Sequence, residues 1–130
     1  MPFLRKNFFI CRLTKCPLYG TLIVMNMRII EYYEKINGKI PYKEWYSSLD
    51  KAVKARVDVR IKRAEIGNYG FHKILPKDII ELKLTDGTRI YFAEIGNKII
   101  LLLLGGGKSK QNNDITKAQE YFKDYQSRNE

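Results

Sequence analysis

Histidine, cysteine and tryptophan are nearly absent from this sequence of 130 residues: it has one histidine, two cysteines and one tryptophan. With His72 as the single histidine, a pair of histidines sharing acid and base duties is excluded. Both cysteines, Cys11 and Cys16, lie near the start, and residues 27–130 have none. A disulfide framework is not expected, and a reducing compartment such as the cytoplasm is. A Cys/His zinc site has no ligands in the body of the chain. No apolar run near the start is long enough to span a bilayer; Leu22-Ile23-Val24-Met25 is too short.

Acidic residues are also in short supply. Twenty-four Lys and Arg face fourteen Asp and Glu, a formal charge of +10. Residues 1–26 carry Arg5, Lys6, Arg12 and Lys15 and no acid. The remaining twenty basic against fourteen acidic residues leave +6 on residues 27–130. A basic body attracts nucleic acid, an anionic membrane or an acidic partner. RNA is the polyanion this reading favours. Residues 1–26 are read as an N-terminal extension, and 27–130 as one domain. Two readings stand for the extension: a segment upstream of a true start at Met25 or Met27, or a poorly ordered arm. Arg12, Lys15 and Pro17 interrupt any signal-peptide pattern.

The patterning predicts β-α-α-β-β-β-α. Met27 to Tyr33 reads as a strand rich in β-branched and aromatic residues. Pro41 suits the first position of a helix, and Tyr42, Trp45, Tyr46 and Leu49 recur on one face of it. Asp50 can cap a second helix from Lys51 to Ile66, with the stripe Val53, Val57, Ile61 and Ala64, stopped at Gly67-Asn68. After a loop from Tyr69 to Lys77, three strands are expected: 79–84, 88–95 and 98–104. Asp86-Gly87 and Gly96-Asn97 mark hairpin turns between them. The last strand is wholly apolar after Lys98, as for a strand buried on both faces. Gly105-Gly106-Gly107 ends it, and a final helix begins near Asn113 or Asp114, with Ile115, Ala118, Phe122 and Tyr125 as its apolar positions. The fold class is α+β: a small, mostly antiparallel four-stranded sheet with helices packed on one face.

The first hairpin gives the sharpest inference. With Thr85-Asp86-Gly87 as the loop, Lys83 faces Arg89, Leu82 faces Ile90 and Glu81 faces Tyr91. Alternation sends Ile80, Leu82, Leu84, Ile90 and Phe92 to the core and Glu81, Lys83, Arg89 and Tyr91 to the other face. Two cations directly opposite repel, and a bridging phosphate would relieve the repulsion. The alternative is that Glu81 sits diagonally near Arg89 and neutralises it. Lys108, beyond the glycines, reaches the same end of the sheet. The run Leu101–Ser109 fails as a Walker A motif, because the first required glycine is Leu102. A glycine loop can still offer N–H groups to one phosphate. Arg56, Arg60 and Arg63 share a face of the second helix, either as a solvated row or as a backbone-binding ridge. Lys73 and Lys110 are further candidate RNA contacts. His72, in a loop, is either incidental or an acid/base group.

Residues Arg28 to Arg128 resemble the RelE/HigB superfamily of toxins from type II toxin–antitoxin modules, nearest the phage-derived addiction module killer branch. The resemblance rests on Trp45 with Leu49, Ala64-Glu65-Ile66-Gly67-Asn68-Tyr69-Gly70, Ile80-Glu81-Leu82-Lys83 and Thr88-Arg89-Ile90-Tyr91-Phe92-Ala93. It continues through Leu101–Gln111 and Asp114-Ile115 with Ala118. Lys83 stands where many relatives carry arginine. The resemblance implies a ribosome-dependent mRNA endonuclease that inhibits translation, with no cofactor and no metal. It implies a cognate antitoxin, a small helix-turn-helix protein, and a toxin–antitoxin complex on operator DNA. In that chemistry the 2′-hydroxyl attacks the adjacent phosphate. Lys83 is the expected base, since a neighbouring cation favours the neutral amine. Arg89 would clamp the phosphate, Lys108 would bind the scissile or a flanking phosphate, and Tyr91 would stack a base or donate a proton. Two alternatives share the fold: a ParE-like toxin acting on DNA gyrase, and an inactive remnant that only binds antitoxin.

Overall fold

A computed structural model describes residues 27–129. The expectations for residues 1–26 lie outside the described residues. The elements are β1 (Ile29–Tyr32), α1 (Pro41–Ser47), α2 (Lys51–Glu65), β2 (His72–Leu75), a 3-10 turn (Pro76–Asp78), β3 (Ile79–Lys83), β4 (Arg89–Ile95), β5 (Ile99–Gly106) and α3 (Gln111–Arg128). The class is α+β. The sheet, however, has five strands in the order β1-β5-β4-β3-β2, and β1 runs parallel to β5.

The expected register of the β3–β4 hairpin is found: Lys83 pairs with Arg89, Leu82 with Ile90 and Glu81 with Tyr91. The turn into β5 has left-handed Gly96 and Asn97 (φ 58° and 59°), and Lys98 N–H donates to the Ile95 carbonyl at 3.0 Å. Positive φ at both central residues matches the right-handed twist of the flanking strands, which is why Gly-Asn serves there.

The fifth strand is β2, formed by residues expected to be a loop. It is an edge strand whose residues are mostly exposed, including Ile74, so it lacks the apolar alternation that marks a strand with a buried face. Its pairing with β3 over Leu75–Ile79 requires Lys77 and Asp78 to take left-handed backbone (φ 65° and 63°). Neither residue is a glycine, so Pro76 and Asp78 are the turn signals there, and they do not by themselves mark a strand before them.

Helices cover both faces, not one. On the first face, Tyr42, Trp45, Tyr46 and Leu49 of the α1 region and Val53, Val57, Ile61 and Ala64 of α2 pack on Ile80, Leu82, Ile90, Phe92, Ile100 and Leu102. On the second, Ile115, Ala118, Phe122 and Tyr125 of α3 pack with Ile79, Tyr91, Ala93, Leu101, Leu103 and Leu104. The unbroken apolar run of β5 reflects this double burial. A register shift between Tyr91 and Phe92 places one extra residue in β5, pairing Tyr91 with Leu104 but Phe92 with Leu102. Such a bulge sends Leu103 and Leu104 to the same face, where both meet α3. The far end of α3 is tied to β1 and the residue after it: Tyr125 Oη donates to Glu31 Oε1 (3.2 Å) and Tyr33 Oη to Asp124 Oδ2 (2.6 Å). The cost of covering the second face is that whatever points there from β3 and β4 is roofed by α3.

Candidate functional site

The start of α3 leaves the end of the sheet open. There a cleft of about 160 Å³ is lined by Phe71, His72, Lys73, Glu81, Lys83, Arg89 and Gln111. Lys73 and His72 come from β2, Glu81 and Lys83 from β3, Arg89 from β4 and Gln111 from the first turn of α3. Cross-strand pairing sets the neighbours: Lys73 lies opposite Glu81, which lies opposite Tyr91, while Lys83 lies opposite Arg89.

Burial divides these groups. Lys73, His72 and Lys83 are exposed at the rim, whereas Arg89 and Glu81 are 4% and 3% exposed at the floor. Glu81 Oε2 accepts from Tyr91 Oη (3.1 Å) and Gln111 Nε2 (2.9 Å) and lies 3.6 Å from Arg89 Nε. The carboxylate therefore neutralises Arg89, the second of the two expectations for this face. The pairing is incomplete. Arg89 Nη1 donates to the Gly87 carbonyl (2.9 Å), its buried Nε has no hydrogen-bond partner, and its Nη2 makes none among the described residues. A buried guanidinium with donors to spare, under a rim of cations, is set up to receive an oxyanion.

Tyr91 is fully buried beneath α3. Its hydroxyl is held by Glu81, and burial with the Glu81 charge pushes its pKa up. Stacking on a base is closed to it. Its role is to orient Glu81, and through Glu81 the Arg89 guanidinium.

The row on α2 is not a ridge of free cations. Arg56 Nη2 pairs with Asp86 Oδ2 at 2.9 Å. Arg60 donates to three carbonyls: Nη1 to Lys83 (2.9 Å), Nη2 to Tyr69 (2.8 Å) and Nη2 to Phe71 (2.9 Å). It holds the segment leading into β2 against the end of β3, so it positions Phe71, His72 and Lys83. Burial, with the nearby Arg63 charge, lowers its pKa. Arg63 is exposed. Arg56, Arg60 and Arg63 border a separate groove with Val59 and Leu84, on the side of the sheet away from α3.

Lys108 is exposed in the loop between β5 and α3, and Gly106 pairs with Arg89, which puts Lys108 at the expected end of the sheet. Lys110 faces another cleft, bordered by Trp45, Gly105–Gly107, Asp114 and Lys117. The groups missed in the sequence are Phe71, Gln111 and the contribution of His72. His72 Nδ1 lies 2.8 Å from the Gly70 carbonyl, which can only accept. The proton is therefore on Nδ1 in the neutral ring, and Nε2 carries the lone pair. Only recognition of β2 would have placed His72 beside Lys83.

These features define a small basic α+β domain with an oxyanion-sized cleft at one end of its sheet. The chain is 34% identical over 88 residues to an "Uncharacterized protein" of Haemophilus influenzae, an alignment covering 65% of this chain and 89% of that protein. The chain belongs to the same family as that protein. No family model matches the chain. Among the described residues, no helix is long and apolar enough to cross a membrane.

Proposed function

We propose that the protein is the toxin of a type II toxin–antitoxin module of the RelE/HigB superfamily, a cytoplasmic endoribonuclease that cuts mRNA on the ribosome. The observation that carries this reading is the convergence of Lys83, Lys73 and His72 around the incompletely paired Arg89.

Cleavage by 2′-hydroxyl attack needs three services, and the cleft has a group for each. A base takes the 2′-hydroxyl proton as the oxygen–phosphorus bond forms. The lone pair on His72 Nε2 and the amine of Lys83 are the two candidates. Charge on the pentavalent phosphorus is met by Arg89 Nη2. The phosphorus–5′-oxygen bond breaks, and a protonated lysine, Lys73 or Lys83, returns a proton to the leaving oxygen. The products are a 2′,3′-cyclic phosphate and a 5′-hydroxyl. Lys108 contributes to holding a flanking phosphate. The partner is an antitoxin, a small helix-turn-helix protein, and the pair assembles on operator DNA.

The test is incubation of purified protein with mRNA and translating ribosomes. Cuts within codons that end in cyclic phosphate are expected. Intact message throughout translation contradicts the reading. A second reading, a ParE-like toxin acting on DNA gyrase, draws on one specific observation: Tyr91 is roofed by α3 and Arg89 is paired with Glu81, which takes two groups from an RNA site. Under it, toxicity survives Lys83→Ala, and DNA damage precedes any loss of translation.

A further inference from the structure

A polar cleft lies on the other side of the α3 N-terminus from Arg89. Its volume is about 530 Å³, and its walls come from the start of α1 (Pro41, Glu44, Trp45), the glycine end of β5 and one side of α3 (Asp114, Lys117, Tyr121), with Lys35 and Lys110 at its edge. The glycines are there for close approach. A Cβ on Gly105 would run into the six-membered ring of Trp45, and one on Gly106 into the Asp114 carboxylate. The indole and the carboxylate are thus both pressed onto bare backbone and fixed relative to each other.

Asp114 is unusual among the charged groups. It is 6% exposed, it borders the cleft, and its carboxylate makes no hydrogen bond or ion pair with any described residue. A carboxylate in that state is an acceptor awaiting donors. An aromatic wall and a fixed carboxylate suit either a nucleobase or a guanidinium. Lys35, Lys110 and Lys117 decide between them: three cations against the two carboxylates of Glu44 and Asp114 repel a guanidinium and retain a nucleotide phosphate. Gly106 also pairs with Arg89 across adjacent strands, a spacing of about 4.8 Å. The two clefts therefore meet at the ends of neighbouring strands.

We propose that Trp45, Gly105–Gly107 and Asp114 form a nucleobase subsite that selects bases with N–H donors on their pairing edge, guanine above the others. Guanine presents two such donors side by side, which one carboxylate accepts in parallel; uracil, adenine and cytosine each present one donor group there. The base lies against the indole while Lys110 and Lys117 face its phosphate. The inference rests on the RNA reading for its biological meaning, but the subsite binds mononucleotides without any cleavage.

Trp45 is the only tryptophan, so its fluorescence reports this cleft and not the one around Arg89. Titration with GMP should quench it with a Kd about tenfold below that of UMP, the discrimination that one bidentate base contact provides. AMP and CMP should fall near UMP. The isosteric Asp114→Asn should bring GMP and UMP within about twofold of each other, because an amide cannot accept at both positions. If that variant does not fold, wild-type amide shifts decide: GMP should move the Gly105–Gly107 signals more than UMP does. Equal quenching by all four nucleotides, or stronger quenching by arginine amide than by GMP, overturns the proposal. Lys83→Ala should lose cleavage and keep the GMP preference, since Lys83 lines the other cleft and not this one. Wild-type protein that prefers GMP yet never cleaves mRNA retains this subsite and loses the nuclease assignment. Cleavage with no base preference at the site, together with equal Kd values, does the reverse.

Discussion

Replacing Arg60 should loosen the cleft without touching it. The guanidinium of Arg60 donates to the carbonyls of Lys83, Tyr69 and Phe71, of which the contact to Tyr69 is part-buried and the other two are exposed. A hydrogen bond from a charged group contributes roughly 1.5–3 kcal/mol when water cannot replace it. The two exposed carbonyls rehydrate in Arg60→Ala, so they count for only a few tenths of a kcal/mol each. The summed loss should be about 2–3 kcal/mol. Arg60→Lys recovers at most one of the three bonds, since an ammonium lacks the planar fork, and should remain about 1–2 kcal/mol below wild type. Urea unfolding followed by Trp45 fluorescence measures both values, with an unchanged slope showing that the folded state keeps its compactness. Amide exchange locates the effect. The Lys83 N–H donates to the Phe71 carbonyl at 3.3 Å, so exchange should rise at Lys83 and along β2 and stay unchanged in α3. A loss below about 0.5 kcal/mol with unaltered exchange at Lys83 would refute the claim that Arg60 is a strut and not a free cation.

Arg89→Ala should destabilise the fold by about 3–5 kcal/mol because it strands the buried Glu81 carboxylate, whereas Lys83→Ala should cost under about 0.5 kcal/mol; thermal melts of the two variants compare them directly. Gly105→Ala should cost about 1–3 kcal/mol, since its Cβ meets the Trp45 ring, and a shifted Trp45 emission would accompany the loss. The pKa of Tyr33 is pushed up to about 12 by burial and by Asp124. Because the neutral phenol is the form favoured on folding, its contribution is complete below pH about 10 and is lost as pH rises towards 12. Alkaline denaturation should therefore be flattened in Tyr33→Phe over that window, and an unchanged profile would contradict the assignment.

The parts of this fold that were legible in the sequence are those fixed by local rules. Asp50 accepts from the Val53 N–H at 3.1 Å as the cap of α2, Pro41 opens α1, and the hairpin turn placed Lys83 opposite Arg89. What was not legible depended on partners distant in sequence. The pairing of β1 with β5 joins residues 29–32 to 99–102. β2 is a strand only because β3 offers an edge, and it is held there by Arg60 from another element. The apolar run Leu101–Leu104 implies cover on both faces, yet the charges of Glu81, Lys83 and Arg89 point to an open one. Alternation left open whether Glu81 neutralises Arg89, and only the packing of α3 shows the two partly paired beneath it. The cleft was thus half visible: Lys83 and Arg89 from register, but not His72, Phe71 or Gln111, which arrive from β2 and from the turn into α3.

The central claim is that the Lys83 end of the sheet cleaves RNA. The most direct measurement maps mRNA ends by primer extension after incubation with translating ribosomes and wild-type, Lys83→Ala or His72→Gln protein, each first shown to melt like wild type. Wild type should cut within codons, and the variant that lacks the base should fall by at least about 100-fold, the scale of general base catalysis. Equal cutting by all three proteins, or none by wild type, would contradict it.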